Sequence, residues 1–486
     1  MNTKIAVANG EGIGPEIMSA VINIFEANKA PLDYEFVEMG KDVFERGYSS
    51  GMTPEARSTI ERLGILFKGP METPKGKGMK SINVTARKVW NTYANKRVFR
   101  SLHGVDTVFS RSGIPVNLTI IRENIEDTYG GIEHMLTNDV ALCRRFITRP
   151  GSMQLHRYAF EVARKKGAHK VTCAHKSNIM KITDGLFLEC FYEVAKEYPD
   201  MNVNDLIIDD LAMKLVMRPY EFDVIVMTNL QGDIISDLCA GLVGGLGFAP
   251  SANIGDNISI FEAVHGTAPD IAGKNIANPT SLLMSGILML RHIGLTQNAA
   301  EIENALMYTL EQGVHTADFG DKVIPAVGTK EFAENIMANL GKVPKESEPT
   351  IPVRNNVEFF APKMPLSNII MTSGRKPTEE MVGADFFIES IEQPEDIAEK
   401  ILFALGKGYA LVTISNRGTQ VWPTGSVFTE CINQYRVRVE KNENFEVTQK
   451  NILNLAGRIS EYFKICSIEW LMKYDGKKAY SLAQGQ

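Results

Sequence analysis

The sequence predicts an α/β protein of two to three domains, and three observations carry this. The 486 residues are too many for one ordinary hydrophobic core. Short β-branched apolar runs alternate with helical periodicity to about residue 240. A proline-rich stretch at residues 341–365 then precedes a second set of strand and helix signals. Hydrophobic residues at 44% and charged residues at 23% give the composition of a globular enzyme. The formal net charge of −6 offers no general attraction to nucleic acid or to an anionic membrane, so basic residues are expected to act locally on a small anion. Six cysteines without a C-x-x-C pair argue against a zinc site or a disulfide framework and suit a reducing cytoplasm. The opening MNTKIAVANG lacks the apolar core of a signal peptide. The longest apolar stretches, such as residues 282–290, fall short of the roughly 20 residues that span a bilayer, and read as core helices.

In chain order, residues 5–8 read as a strand, followed by a glycine turn and an amphipathic helix over residues 16–27. The turn invites a dinucleotide reading, but G-x-G-x-G-P lacks the third glycine of that fingerprint; the alternative is a tight turn with Pro15 preset for the first helical turn. Residues 68–100 begin as a glycine- and lysine-rich loop and continue as a helix opened by Ser81, Asn83 and Arg87, with Ser81 as its cap. A hydroxyl, an amide and a guanidinium near free backbone N–H groups favour an anion there. Arg97 and Arg122 add two guanidiniums, whose meaning depends on whether the fold gathers them.

Residues 129–149 lose helical periodicity and read as a hairpin arm. A helix over residues 149–167 leads into a strand at 170–174 that ends in His175, Lys176, Ser177 and Asn178. After a helix near residues 186–196, the apolar run 206–210 ends in Asp209 and Asp210. The buried strand 222–227 ends at NLQGDIISD, residues 229–237. With a helix starting at Gly232, Asp233 and Asp237 share one face, where their repulsion calls for a cation, a donor or solvent. The alternative is a solvated helix start. Together with Asp209 they would make an oxygen-only donor set suited to Mg²⁺ or Mn²⁺.

Residues 261–270, FEAVHGTAPD, form a turn-rich loop of the kind that approaches a nucleotide closely, and Asn278-Pro279 starts a long apolar helix. Past the proline-rich stretch, strands at 409–414 and 435–439 and helices at 394–405 and 449–462 make a small α/β module without a catalytic constellation. Tyr435, Val437 and Val439 alternate with Arg436 and Arg438, which implies one buried and one wet face.

These motifs, ordered over residues 1–344, resemble the β-decarboxylating dehydrogenases, the isocitrate/isopropylmalate dehydrogenase family. Ser81-x-Asn83-x-x-x-Arg87 resembles the isocitrate pattern, because a third carboxylate needs donors where an alkyl group needs an apolar surface. The resemblance implies that family's non-Rossmann fold: a large cofactor domain (1–92 and 244–344), a small substrate and metal domain (93–126 and 150–243) and a clasp arm (127–149) at a dimer interface. A linker (345–365) and a small α/β domain (366–486) would follow. It implies oxidative decarboxylation of isocitrate to 2-oxoglutarate, in the tricarboxylic acid cycle, with a nicotinamide cofactor and Mg²⁺ or Mn²⁺. Tyr129 and Lys176 match the catalytic acid and base. Thr73, Ser81, Asn83, Arg87, Arg97, Arg122 and Asn178 match substrate binders, and Asp209, Asp233 and Asp237 match metal ligands. The cofactor positions are Glu262, His265, Gly266, Thr267, Ala268, Pro269, Asp270, Ile271 and Asn278.

In the family Lys176 and Asp209 come from the partner subunit, so a homodimer with shared sites is expected. Asp270 and Ile271 stand where NADP users commonly carry Lys-Tyr; an acid there favours NAD over NADP unless Arg291, Lys322 or a partner-chain arginine offsets it. Glu11 and Glu72 also depart from the common pattern. The last module resembles the extra domain of a longer bacterial subgroup, through SNRGTQVWP and the closing YDGKKAYSLAQGQ, and is expected to add an oligomer interface. A non-catalytic regulatory subunit is disfavoured by the presence of Tyr129, Lys176 and all three aspartates, and homoisocitrate or tartrate as substrate by Ser81 and Asn83.

Overall fold

A computed structural model describes residues 2–72, 81–352, 377–425, 428–443 and 445–481. Thr73 and most of the expected linker lie outside the described residues. The chain runs β1 (Thr3–Ala8), α1 (Gly14–Ala27), β2 (Leu32–Phe36), α2 (Lys41–Glu45), α3 (Pro54–Leu63), β3 (Ile65–Lys68), α4 (Ile82–Val89), β4 (Ala94–Arg100), α5 (Val108–Arg111) and β5 (Asn117–Glu123). It continues through β6 (Glu133–Met135), β7 (Ala141–Cys143), α6 (Arg149–Lys166), β8 (Lys170–His175), α7 (Thr183–Ala195), β9 (Asn202–Ile207), α8 (Ile208–Met217), β10 (Val224–Met227) and α9 (Asn229–Leu242). Then come β11 (Pro250–Ile254), β12 (Ser259–Ala263), α10 (Thr280–His292), α11 (Thr296–Glu311) and α12 (Thr329–Ala338). The last elements are β13 (Glu379–Glu389), α13 (Pro394–Leu405), β14 (Tyr409–Asn416), β15 (Thr419–Trp422), β16 (Gln434–Lys441), α14 (Gln449–Ser460), β17 (Lys464–Tyr474) and β18 (Lys477–Lys478).

The described residues divide into two compact units, the first comprising the chain up to Tyr129, Phe146–Ile179 and Asp184 onward to residue 352. Its ten-stranded sheet has the order β2-β1-β3-β12-β11-β4-β5-β10-β8-β9. β11 runs antiparallel to both its neighbours and β4 antiparallel to β5; the other pairs are parallel. β3 and β10 are buried along their whole length, as expected for parallel strands covered on both faces. One apolar core packs α1, α10, α11 and α12 onto the sheet, and further cores lie under α8 and α9 and under α6 and α7.

Local chemistry explains the boundaries. Thr148 caps α6 through Gly151 N–H at 3.2 Å, and Gly167, at φ 69°, ends it in the left-handed region. α9 starts at Asn229, a turn earlier than the expected Gly232. β9 ends at Ile207, so Asp209 and Asp210 stand in the first turn of α8, where acids suit the helix dipole, and not at the end of a strand. The early glycine turn serves protein packing: Gly12 has φ 61°, a Cβ there would lie 2.0 Å from Thr267 O, and Ile13 N–H donates to that oxygen at 2.9 Å.

The second unit joins Gly130–Arg145, Met180–Thr183 and the described residues from 377 onward. Its sheet, β15-β14-β16-β13-β17-β18, is antiparallel, with a β-α-β-β-α-β core whose apolar side packs α13 and α14. The predicted wet face of β16 is corrected here. Arg438 is 1% exposed, because Asp385 of β13 accepts two bonds from its guanidinium, each 2.7 Å, while the Tyr480 ring covers it at 5.0 Å. β6 and β7 form the expected hairpin, held by Arg144 to Glu469 at 2.8 Å and by Asn433 to Thr137 and Asp139, each at 3.1 Å.

Candidate active site

Two arginines approach one carboxylate, Asp233, and a third acts on it from farther off. β5 carries Arg122 inward, where Nε and Nη2 donate to Asn229 Oδ1 at 3.0 and 2.8 Å and Nη1 meets Asp233. β4 places Arg97 beside it, 3.6 Å from Asp233 and 3.5 Å from Asp237, with a further bond to Ser236. Asn229, Asp233, Ser236 and Asp237 share one face of α9, so NLQGDIISD supplies both the acids and the groups that orient the arginines. Gly232 makes the approach possible: a Cβ there would sit 2.6 Å from Arg122 Cγ. Tyr129 donates its hydroxyl to Asp233 Oδ2 at 2.5 Å, with Arg122 over its ring at 4.9 Å.

The electrostatics follow from this crowding. Burial opposes ionisation of Asp233, but Arg122, the Tyr129 hydroxyl, Arg97 and Arg87 outweigh it and hold the carboxyl below its usual value. Burial, with Asp233 second among the raising causes, pushes Asp237 up. Arg97 is pushed down to about 10, by burial first and then by Arg122 and Arg87. Burial and the bond to Asp233 raise Tyr129, which keeps its phenol protonated.

Arg87, near the end of α4, reaches a second anchor. Glu262 of β12 accepts from it at 2.8 Å and from Lys68 at 2.5 Å, and these cations hold the buried carboxyl far below its ordinary value against the cost of burial. Asn83, Arg87, Arg97, Glu262, His265 and Thr267 line one cavity of about 380 Å³. Among the described residues, Asn83 Oδ1, Arg87 Nε and His265 Nε2 are buried there without a hydrogen-bond partner, which fits a polar ligand. Glu72 borders the cavity and is offset by Lys41 at 3.3 Å, while Glu11 accepts from the backbone N–H of Glu72 at 2.6 Å. Ser81 caps α4 through Val84 N–H at 3.4 Å.

Other positions stand apart. Lys176 pairs with Asp209, while Asn178 is exposed on the turn after β8. Among the described residues of one chain, no group of three His, Cys, Asp or Glu is arranged to hold a metal. Asn278, just before α10, accepts from Thr280 N–H at 3.0 Å and donates to Asp318 at 3.1 Å. Gly266, Ala268, Pro269 and Asp270 are exposed, and Ile271 is half-buried. Sequence reasoning missed Asn229 and Ser236, although both stand at helical spacing from the acids. It also missed Lys68, whose position at the end of an apolar strand carried no signal.

The family model for isocitrate/isopropylmalate dehydrogenase matches residues 4–336, and that for the C-terminal domain of bacterial isocitrate dehydrogenase matches residues 379–486. The chain is 44% identical to a Thermus thermophilus protein named isocitrate dehydrogenase (NADP), over 99% of this chain and 96% of that one. It is 42% identical to a Rickettsia conorii protein of the same name, over 100% and 99%. A crystal structure of a Thermus thermophilus protein superposes with a TM-score of 0.92 at 43% identity, covering 100% of this chain and 96% of that one. The NADP in these names overturns the NAD preference expected from Asp270 and Ile271. Asp270 lies exposed in a short turn where water screens its charge, so one carboxylate there does not decide the matter. Arg291, considered as its offset, is bound to Glu303 in the last turn of α10 instead.

Proposed function

The chain belongs to the isocitrate/isopropylmalate dehydrogenase family, in its long bacterial form, and on that premise we propose that it is an NADP-dependent isocitrate dehydrogenase. The observation that carries the reading is the cavity of about 380 Å³ in which substrate candidates Asn83, Arg87 and Arg97 meet cofactor candidates Glu262, His265 and Thr267. Arg87, Arg97 and Arg122 bind the substrate carboxylates through their planar forks. Their counter-charges, Glu262 and Asp233, fix them before substrate arrives. NADP, when bound, supplies the hydride acceptor, and a divalent cation supplies Lewis acidity at the substrate's hydroxyl and later ketone oxygen. Tyr129 holds the proton that the carbon left by departing CO₂ must receive, and Lys176 takes the hydroxyl proton in the first step.

Asp233 and Asp237, oxygen donors on one face of α9, suit a hard cation, and Asp209 of a second copy completes the set. The exposed Met213, Val216 and Met217 on α8, with Leu230 and Ile234 on α9, form the apolar face we assign to that homodimer. We further propose a higher oligomer formed through the C-terminal domain. Purified protein with Mn²⁺ and isocitrate is expected to reduce NADP, to release 2-oxoglutarate, and to prefer NADP over NAD in kcat/KM. No turnover with either nicotinamide sinks the enzyme reading, and a higher kcat/KM with NAD sinks the cofactor assignment.

A further inference from the structure

β4 presents two chemistries. Arg97 faces α9 and the carboxylates, donating to Asn95 at 2.9 Å, whereas Lys96, Val98 and Arg100 line a separate cavity of about 450 Å³ on the other side of the sheet. Opposite β4, α6 contributes Lys165 and Lys166, and α10 contributes Arg291. Among the described residues, four cations besides Lys96, which is itself engaged elsewhere, thus line a space with one carboxylate, Glu303. That carboxylate is already engaged, by Arg100 at 3.0 Å, by Arg291, and by the Thr350 hydroxyl at 2.8 Å. Among the described residues Lys166 donates to a backbone oxygen, Asn117 O, at 3.2 Å, and its ammonium is pushed down to about 8, by burial first and by Lys96 and Arg100, against the opposing pull of Asp223. Val98, Val162, Met284, Ile287 and Leu288 give part of the remaining wall an apolar surface, beside the polar Asn117, Thr119, Thr296 and Thr350. Cations gathered in excess of acids in a concave space are stabilised by an anion, and the apolar wall accommodates a hydrophobic body attached to it.

We propose that this cavity, distinct from the isocitrate site, binds an organic phosphate monoester, with the phosphoryl group at Lys165, Lys166 and Arg100 and an apolar or aromatic body against Met284, Ile287 and Leu288. A dianionic phosphate matches several converging cations better than a single carboxylate does, and the volume lies within the usual range for small-molecule sites. None of these residues belongs to the substrate, metal or cofactor set.

The test uses the full-length protein and the fluorescent probe 1-naphthyl phosphate, with 1-naphthol and inorganic phosphate as its two halves. The probe is expected to bind saturably and more tightly than either half. The Lys165→Gln/Lys166→Gln double variant is expected to weaken binding by about tenfold or more, the loss of charge-assisted bonds. Lys166→Arg is expected to retain binding, and the double variant to keep its isocitrate turnover. Absence of saturable binding, or equal binding by the double variant, overturns the proposal. So does a loss in Arg87→Gln with none in the double variant, which would put the probe at the substrate arginines. Inorganic phosphate binding as tightly as the probe overturns the role given to the apolar wall.

Discussion

Gly232 permits a contact that no other residue permits at its position. Arg122 lies against the backbone of α9 because nothing projects from that glycine, and the same approach brings the guanidinium to Asn229 and Asp233. Gly232→Ala keeps a helix-compatible residue but forces Arg122 away. We expect the KM for isocitrate to rise by about tenfold or more, since displacements near 1 Å at a binding group cost that much. Steady-state kinetics beside far-ultraviolet circular dichroism checks it: an unchanged KM with intact helicity would mean that Arg122 repositions freely. The pairing of Asp233 with Asp237 was legible from spacing alone. The glycine between Asn229 and Asp233 was not, because a close approach depends on a strand more than 100 residues earlier in the chain.

Among the elements, β16 is the one whose sequence pattern misled. Alternation of Tyr435, Val437 and Val439 with arginines reads as a half-wet strand, yet Arg438 is enclosed by Asp385 and Tyr480. Period-two patterning reports which residues share a face, not whether the polar face later acquires a cover. Removing one partner of a buried pair leaves an uncompensated charge. Asp385→Ala is therefore expected to destabilise this unit by about 3–5 kcal/mol. Guanidinium unfolding followed by Trp422 and Trp470 emission measures it, and a loss below about 1 kcal/mol, the range of solvated pairs, would contradict the enclosure. By contrast α1, α6, α10 and α13 were legible nearly to their ends, because Pro15, Thr148, Pro279 and Pro394 mark starts that owe nothing to distant residues.

Across the chain as a folded entity, the candidate groups fall into two sets that one copy does not unite: Lys176 with Asp209, and Tyr129 with Asp233 and the arginines. If a second copy completes each site, Lys176→Met and Tyr129→Phe protomers complement each other. Refolded as an equal mixture of the two inactive variants, dimers are expected to regain about a quarter of wild-type sites, since half pair unlike and each such pair has one intact site. Activity no higher than that of the separate variants would refute the shared site. The motifs that led here were legible because each is local. How one copy gathers the arginines around Asp233 was not, because it depends on the sheet order.

The hairpin of β6 and β7 also bears on how the polypeptide matures. Its side-chain anchors, Asn433 and Glu469, lie 296 and 325 residues beyond Thr137 and Arg144. During synthesis the hairpin therefore emerges long before its docking partners exist, and its two strands of three residues have little stability of their own. Seating it is a late, long-range closure, of the kind that slows folding and leaves strand edges open meanwhile. The residue at the foot of that hairpin is Tyr129, so the candidate proton donor borders one of the last segments of the chain to acquire its neighbours.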